Sequence, residues 1–217
     1  MTHLRLKFLG SPEVTFAGDL LKFRSRKVLG LLIYLVVTGE RQSREKLVDL
    51  LWPGSDYQRG MASLRNSIAR LKKSLEPAGD FLLAERGYVG FDFSQPHALD
   101  VAQLQAALST DTSLAKQLDM LTRYRGDFLA GFALPDAPDF EQWVMQQRML
   151  MSQQWELLFT TAAQQQLDAG IAQAALETAT RLAHIIPTSE TAAQLQMRAF
   201  ALSGNPTAAL RVFAQFQ

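Results

Sequence analysis

Ser63, Asn66, Ser67, Arg70 and Lys73 fall on one side of any helix drawn through residues 62–75, ASLRNSIARLKKSL. Leu64, Ile68, Leu71 and Leu75, spaced four, three and four, fall on the other. The polar side carries the groups that reading a DNA major groove requires. Arg offers a planar fork to guanine, Asn pairs with adenine, Lys meets phosphates, and short Ser lets the backbone approach. The apolar side is suited to a core. The candidate base-edge residues are therefore Ser63, Asn66, Ser67 and Arg70, with Asn66 and Arg70 foremost. The candidate phosphate contacts are Arg44, Arg59, Arg65, Lys72, Lys73 and Arg86, which position a duplex without reading it. The plain alternative is an amphipathic helix with a solvated basic face, and the rest of the chain must decide between the two.

Charge favours the first. The net charge is +1, but residues 1–92 hold 15 Lys/Arg against 10 Asp/Glu, whereas residues 93–217 hold 7 against 11. A basic half (+5) is thus joined to an acidic half (−4), as expected where only the first meets nucleic acid. Other chemistries find no residues to rest on. There is no cysteine, hence no thiolate nucleophile and no disulfide, which fits a cytoplasmic protein. The chain has no phosphate-cradling glycine loop and no serine in a nucleophile-elbow setting. His3, His97 and His184 are far apart and lack metal-ligand spacing. Asp136 and Asp139 could pair as acids, but charge at a helix N-terminus is the simpler account. No enzyme activity, cofactor or metal is expected. The longest apolar run, Val28–Val37, is broken by Gly30 and is too short to span a bilayer, so no membrane association is expected.

The elements around the focal helix follow from local pattern. Leu4–Leu9 alternates, Val14–Phe16 and Leu20–Phe23 follow, and turns at Gly10-Ser11-Pro12 and Ala17-Gly18-Asp19 separate them. These predict three short antiparallel strands. Ser25 is suited to cap a helix from Arg26 to Thr38 that Gly39 ends, with Leu29, Leu32, Ile33 and Val36 buried. Ser43 is suited to cap a second helix, Arg44–Leu51, stopped by Trp52-Pro53-Gly54. A polar loop, residues 55–60, leads to the focal helix, which Pro77 and Gly79 end. Phe81–Leu83 and Tyr88–Phe91 flank Glu85-Arg86-Gly87 as a β-hairpin under which Tyr88 is expected to pack. Strands, three helices and a hairpin make a winged helix-turn-helix: the third helix enters the major groove and the hairpin reaches the neighbouring backbone.

Residues 93–99 read as a linker, marked by Pro96 and the change in charge balance. The remainder, residues 100–217, is helical. Helices are predicted from Asp100 to Leu108, from Leu114 to Tyr124, and from Asp139 to about Ala169, with Phe128 and Phe132 buried in the loop between the last two. A 34-residue repeat follows: Gly170, Ala174, Ala175, Ala179 and Leu182 correspond to Gly204, Ala208, Ala209, Phe213 and Phe216. With Pro187 it fits a tetratricopeptide-like helical pair, in which small residues let helices cross closely. Such pairs bury their faces only by stacking. The sequence stops at Gln217 inside a repeat helix, which suggests a fragment of a longer protein.

Lys27–Leu32, Ser43–Pro53, Leu64–Leu75 and Arg86-Gly87-Tyr88 resemble, in order and spacing, the OmpR-type winged helix of SARP-family bacterial regulators. Ser67 and Ala69 stand where that family is often bulkier or basic. Tyr124–Leu129 and Glu141-x-Trp143-Val144-x3-Arg148 resemble the bacterial transcriptional activator domain (BTAD) that follows in such proteins. The resemblance implies a mainly α fold with a small β-sheet: a winged helix at 1–92, the linker, and a BTAD at 100–217. It also implies a transcriptional activator that binds direct repeats in promoter DNA as a homodimer. RNA polymerase or sigma factor would be met at the loop Pro53–Gly60. The competing expectation is an interaction scaffold whose repeats bind a peptide and whose winged helix does not bind DNA.

Overall fold

The computed structural model describes residues 3–216, the side chain of Phe216 excepted. They fall into two compact units, Met1–Ala102 with Arg125–Met149, and Gln103–Tyr124 with Leu150–Gln217.

In the first unit, strands β1 (Leu4–Lys7) and β2 (Glu13–Phe16) pair antiparallel, Leu6 opposite Val14, and β3 (Asp19–Leu20) continues antiparallel from β2. Ala17 and Gly18, both at positive φ (56° and 97°), make the two-residue turn between them. The alternation seen in sequence is real: Leu4 and Leu6 are buried and Arg5 is exposed. Helix α1 (Arg26–Thr38) has the expected limits, with Ser25 Oγ accepting from the Val28 amide at 3.3 Å and Gly39 left-handed at its end. Its burial is wider than a single face. Val28 and every residue from Gly30 to Val36 are buried, while Leu29 is only partly so. The reason is a second layer that the sequence pattern does not reveal. At Gly30 a Cβ would lie 2.9 Å from Leu134 Cδ1 and 3.4 Å from Phe140 Cζ, so the 125–149 segment sits on α1 there. Trp143 adds an edge contact to Tyr34 (4.9 Å).

Strand β4 (Gln42–Ser43), which the sequence pattern does not predict, precedes α2 (Arg44–Leu51) and α3 (Tyr57–Leu75). The hairpin β5 (Leu82–Ala84) and β6 (Tyr88–Phe91) joins β4 in a three-stranded sheet ordered β4-β6-β5. The stretch 93–99 corrects the linker expectation at its end, because His97–Leu99 is strand β7, parallel to β1. Asp100 fixes it there. Its carboxylate accepts from the amides of Phe8 (2.8 Å) and Leu9 (2.8 Å), so the residue that starts α4 (Asp100–Ala107) also ties off the first strand. Arg125 ion-pairs with Glu13 (3.1 Å) and lies 3.9 Å from Asp100. Phe128 and Phe132 are buried, as expected. Arg148 donates to the carbonyls of Phe128 (2.9 Å) and Leu129 (3.0 Å), and Glu141 accepts from the Leu134 amide.

In the second unit, α5 (Leu114–Thr122) and the C-terminal part of α6 (Pro138–Asp168) accompany α7 (Ala172–Ile185), α8 (Glu190–Leu202) and α9 (Pro206–Phe216). Ala163, Leu167, Ala175, Ala179, Leu195 and Ala199 form one buried cluster, so alanines do sit at the crossings. The 34-residue correspondence extends to the backbone. Gly170 and Gly204 have φ of 74° and 73°. The following amides, of Ile171 and Asn205, each reach back five residues, to Gln166 and Phe200, at 2.9 Å. That is the glycine-dependent helix ending.

Candidate nucleic-acid interface

Helix α3 begins five residues earlier than the pattern of leucines predicts. Asp56 caps it, accepting from the Arg59 amide at 2.9 Å, so the polar loop shrinks to residues 52–56. The added turns are anchored by Gly60, where a Cβ would stand 2.4 Å from Val48 Cγ1. Only a glycine lets α2 and α3 approach so closely. With 3.6 residues per turn, Gly60, Leu64, Ser67, Ile68, Leu71 and Leu75 form the buried stripe. Ser67 is 6% exposed and cannot reach a base, so it leaves the base-edge set; Ser63 is half-buried at the margin. Arg65, Asn66, Ala69, Arg70, Lys72 and Lys73 are exposed. Asn66, Arg70 and Lys73, spaced four and three, follow one ridge, and Arg59 continues it two turns earlier.

The ridge is chemically available. The side chains of Arg65, Asn66, Arg70 and Lys73 make no hydrogen bond or ion pair among the described residues. Arg59 has an exposed pairing to Asp56 (3.1 Å), and Lys72 a long one to Asp80 (3.7 Å); contacts of this kind are weak and exchange readily.

The hairpin is braced by two arginines. Arg44, expected as a phosphate contact, donates from Nε (3.1 Å) and Nη2 (3.0 Å) to the Glu85 carbonyl. Its amide donates to the Gly87 carbonyl at 3.1 Å. Arg41, which no sequence motif singles out, holds the Glu85 carboxylate at 2.7 Å. Arg86 is thereby presented at an exposed tip. Tyr88 is 53% exposed and does not pack under the wing, because its position in β6 opposite Ser43 alternates with buried Val89. Tyr57, in the first turn of α3, is 64% exposed.

The remaining titratable candidates are structural. Asp136 pairs with Lys27 at 2.8 Å, and the hydrogen bond from Lys27 lowers its pKa; it lies outside α6, whose first turn holds Asp139 and Glu141. Burial raises the Asp100 pKa, outweighing the amide hydrogen bonds from Phe8 and Leu9. His97 Nδ1 lies 2.7 Å from the Gln95 carbonyl, and its ring meets Phe91 and Phe93 edge-on. The described residues include no group of three or more His, Cys, Asp or Glu able to hold a metal. None of the described helices is long and apolar enough to cross a membrane.

A helix-turn-helix with a braced wing, followed by stacked helical pairs, defines a winged-helix protein with a tetratricopeptide-like unit. A family model described as the bacterial transcriptional activator domain matches residues 91–217, and the chain belongs to that family. That family is one of transcriptional activator domains and not an enzyme family, in keeping with the SARP-type resemblance of the motifs. The chain is 28% identical over 223 residues to the regulatory protein AfsR of Streptomyces coelicolor; the match takes in 97% of this chain and 22% of AfsR, so the chain spans about a fifth of that relative. The whole chain also superposes on the solved structure of Mycobacterium tuberculosis EmbR in complex with a low affinity phosphopeptide. The TM-score is 0.78 at 21% identity, covering 59% of the EmbR chain, a likeness of fold.

Proposed function

We propose that this regulator binds duplex DNA sequence-specifically through α3, with Asn66 and Arg70 on base edges and Ser63 at the margin. The observation that carries this reading is the ridge itself. Asn66, Arg70 and Lys73 are exposed and unpartnered among the described residues, on a helix whose other face is core. Arg59, Arg65, Lys72, Lys73 and the wing residue Arg86 meet phosphates, and Arg44 serves by holding the wing. The family supports the further reading that the chain activates transcription; the SARP-type resemblance adds binding to direct repeats in promoters, two copies head to tail. The loop 52–56 and exposed Tyr57 offer the surface for RNA polymerase or sigma factor.

The test is selection from a random duplex pool by this chain, followed by anisotropy across a salt series. The five phosphate contacts from α3 and the wing alone contribute about −4 to −5 to the log–log slope. Enrichment of a short direct repeat, abolished in Asn66→Ala and Arg70→Ala, supports the reading. Absence of duplex affinity at every salt concentration refutes it and favours the scaffold, in which the helical unit binds protein. Exposed Leu210 and Phe213 on α9 are the residues that would then come first.

A further inference from the structure

We infer that Lys22, Arg24 and Arg26, in the segment between β3 and α1, form a second phosphate-binding ridge that flanks α3 on the side away from the wing. The inference rests on the duplex-binding reading above and adds a surface to it.

Three observations carry it. The first is position. Ser74 Oγ donates to the Lys22 carbonyl at 3.0 Å, which ties this segment to the last turn of α3. Ser74 follows Arg70 by four residues and so lies one turn beyond it on the same flank. The opposite flank faces the wing approach, where Lys72 meets Asp80 at 3.7 Å. The exposed ridge of α3 therefore has the 22–26 segment on one flank and the chain leading into the hairpin on the other, as a major groove has a sugar–phosphate backbone on each side. The hairpin carries Arg86; the opposite flank carries Lys22, Arg24 and Arg26.

The second is presentation. Along residues 22–26 exposure alternates: Lys22, Arg24 and Arg26 are exposed, and Phe23 and Ser25 between them are half-buried. The apolar and capping side chains hold the segment while the cations face solvent. None of the three makes an ion pair or side-chain hydrogen bond among the described residues.

The third is a cost to the fold. Arg26 and Lys27 occupy the first turn of α1, which has no acidic residue, and a cation at a helix N-terminus opposes the helix dipole. Lys27 is compensated by Asp136 at 2.8 Å, but Arg26 has no such partner among the described residues. Removing its charge should relieve α1. A structural role predicts the reverse.

The experiment compares the wild-type chain, K22Q/R24Q/R26Q and the charge-keeping K22R/R24K/R26K on one selected duplex and one random duplex over a salt series. Chemical denaturation is run in parallel. Expected for the Gln variant is a salt slope shallower by about 2–3 on both duplexes, at about 0.9 for each phosphate that is no longer neutralised. The ratio of affinities between the two duplexes stays unchanged, and the denaturation midpoint is unchanged or higher. The charge-keeping variant retains the wild-type slope. If wild type binds duplex and the Gln variant keeps its slope, this ridge is refuted and the α3 reading survives. A shallower slope that comes only together with a lowered denaturation midpoint also refutes it, since the residues would then act through the fold. A wild-type chain that binds no duplex overturns both.

Discussion

Gly60→Ala tests whether the approach of α2 to α3 sets the position of the ridge. On an exposed helix this change would stabilise by about 1 kcal/mol, from propensity alone. Here the added Cβ would lie 2.4 Å from Val48 Cγ1, about 1 Å inside ordinary contact. Val48 cannot turn aside, because it is β-branched, on a helix, and 5% exposed. Overpacking of this kind costs about 1–3 kcal/mol. Set against the propensity gain, the net effect is destabilisation of about 0–2 kcal/mol, or separation of α3 from α2. Val48→Ala alone should cost about 2 kcal/mol for the two carbons removed from the core. Together the two changes should cost less than their sum by about 1–2 kcal/mol, since the methyl added at position 60 occupies the space that Val48 Cγ1 vacates. Urea denaturation of the four chains gives the cycle, with the m-value checking that the denatured state is unchanged. A stabilised Gly60→Ala chain, or strict additivity with Val48→Ala, would refute the reasoning.

Other outcomes follow from named contacts. Asp100 binds its proton more tightly folded than unfolded, because burial raises its pKa. Its contribution to stability is full at low pH and declines as pH rises from the ordinary carboxylate range through the raised value. Thermal melts between pH 3 and 7 should show that decline, and Asp100→Asn should flatten it. Arg148→Ala removes two charge-assisted bonds to the Phe128 and Leu129 carbonyls and should lower stability by about 2–3 kcal/mol in chemical denaturation. Arg148→Lys should restore little, since an ammonium cannot reproduce the planar fork. Arg70→Ala should reduce discrimination at one base pair by about 1–3 kcal/mol in competition binding, whereas Lys73→Ala should weaken all duplexes alike. Arg44→Ala should loosen the 85–87 turn, seen as faster amide exchange at Gly87 and Tyr88.

Local signals made much of the fold legible. Ser25, Gly39 and Ser43 marked both limits of α1 and the start of α2, because capping is decided within one turn of chain. The glycines of the 34-residue repeat marked helix ends for the same reason. Long-range pairing was not legible. Strand β7 depends on the partner β1 and on Asp100 nearly a hundred residues from Phe8, and nothing local in 97–99 announces it. The all-round burial of α1 likewise depends on Leu134, Phe140 and Trp143. Within the site, helical periodicity placed Asn66 and Arg70 outward but misjudged Ser67. A small polar residue beside Ile68 reads as surface by type, and only its place in the stripe of Gly60, Leu64 and Leu71 buries it.

The same comparison separates scaffold from reader. Arg44, Glu141 and Arg148 belong to recognisable motifs, and each is committed to a backbone group: the Glu85 carbonyl, the Leu134 amide, and the Phe128 and Leu129 carbonyls. Charged residues fixed to the main chain set where loops and the wing stand. Asn66, Arg70 and Lys73 have no protein partner among the described residues, so changing them alters what is touched without unmaking an internal bond. Substitutions on the ridge should therefore shift specificity at nearly constant stability, and substitutions at Arg44, Glu141 or Arg148 should lower stability and weaken every duplex together. A denaturation curve measured beside each binding curve tells the two classes apart.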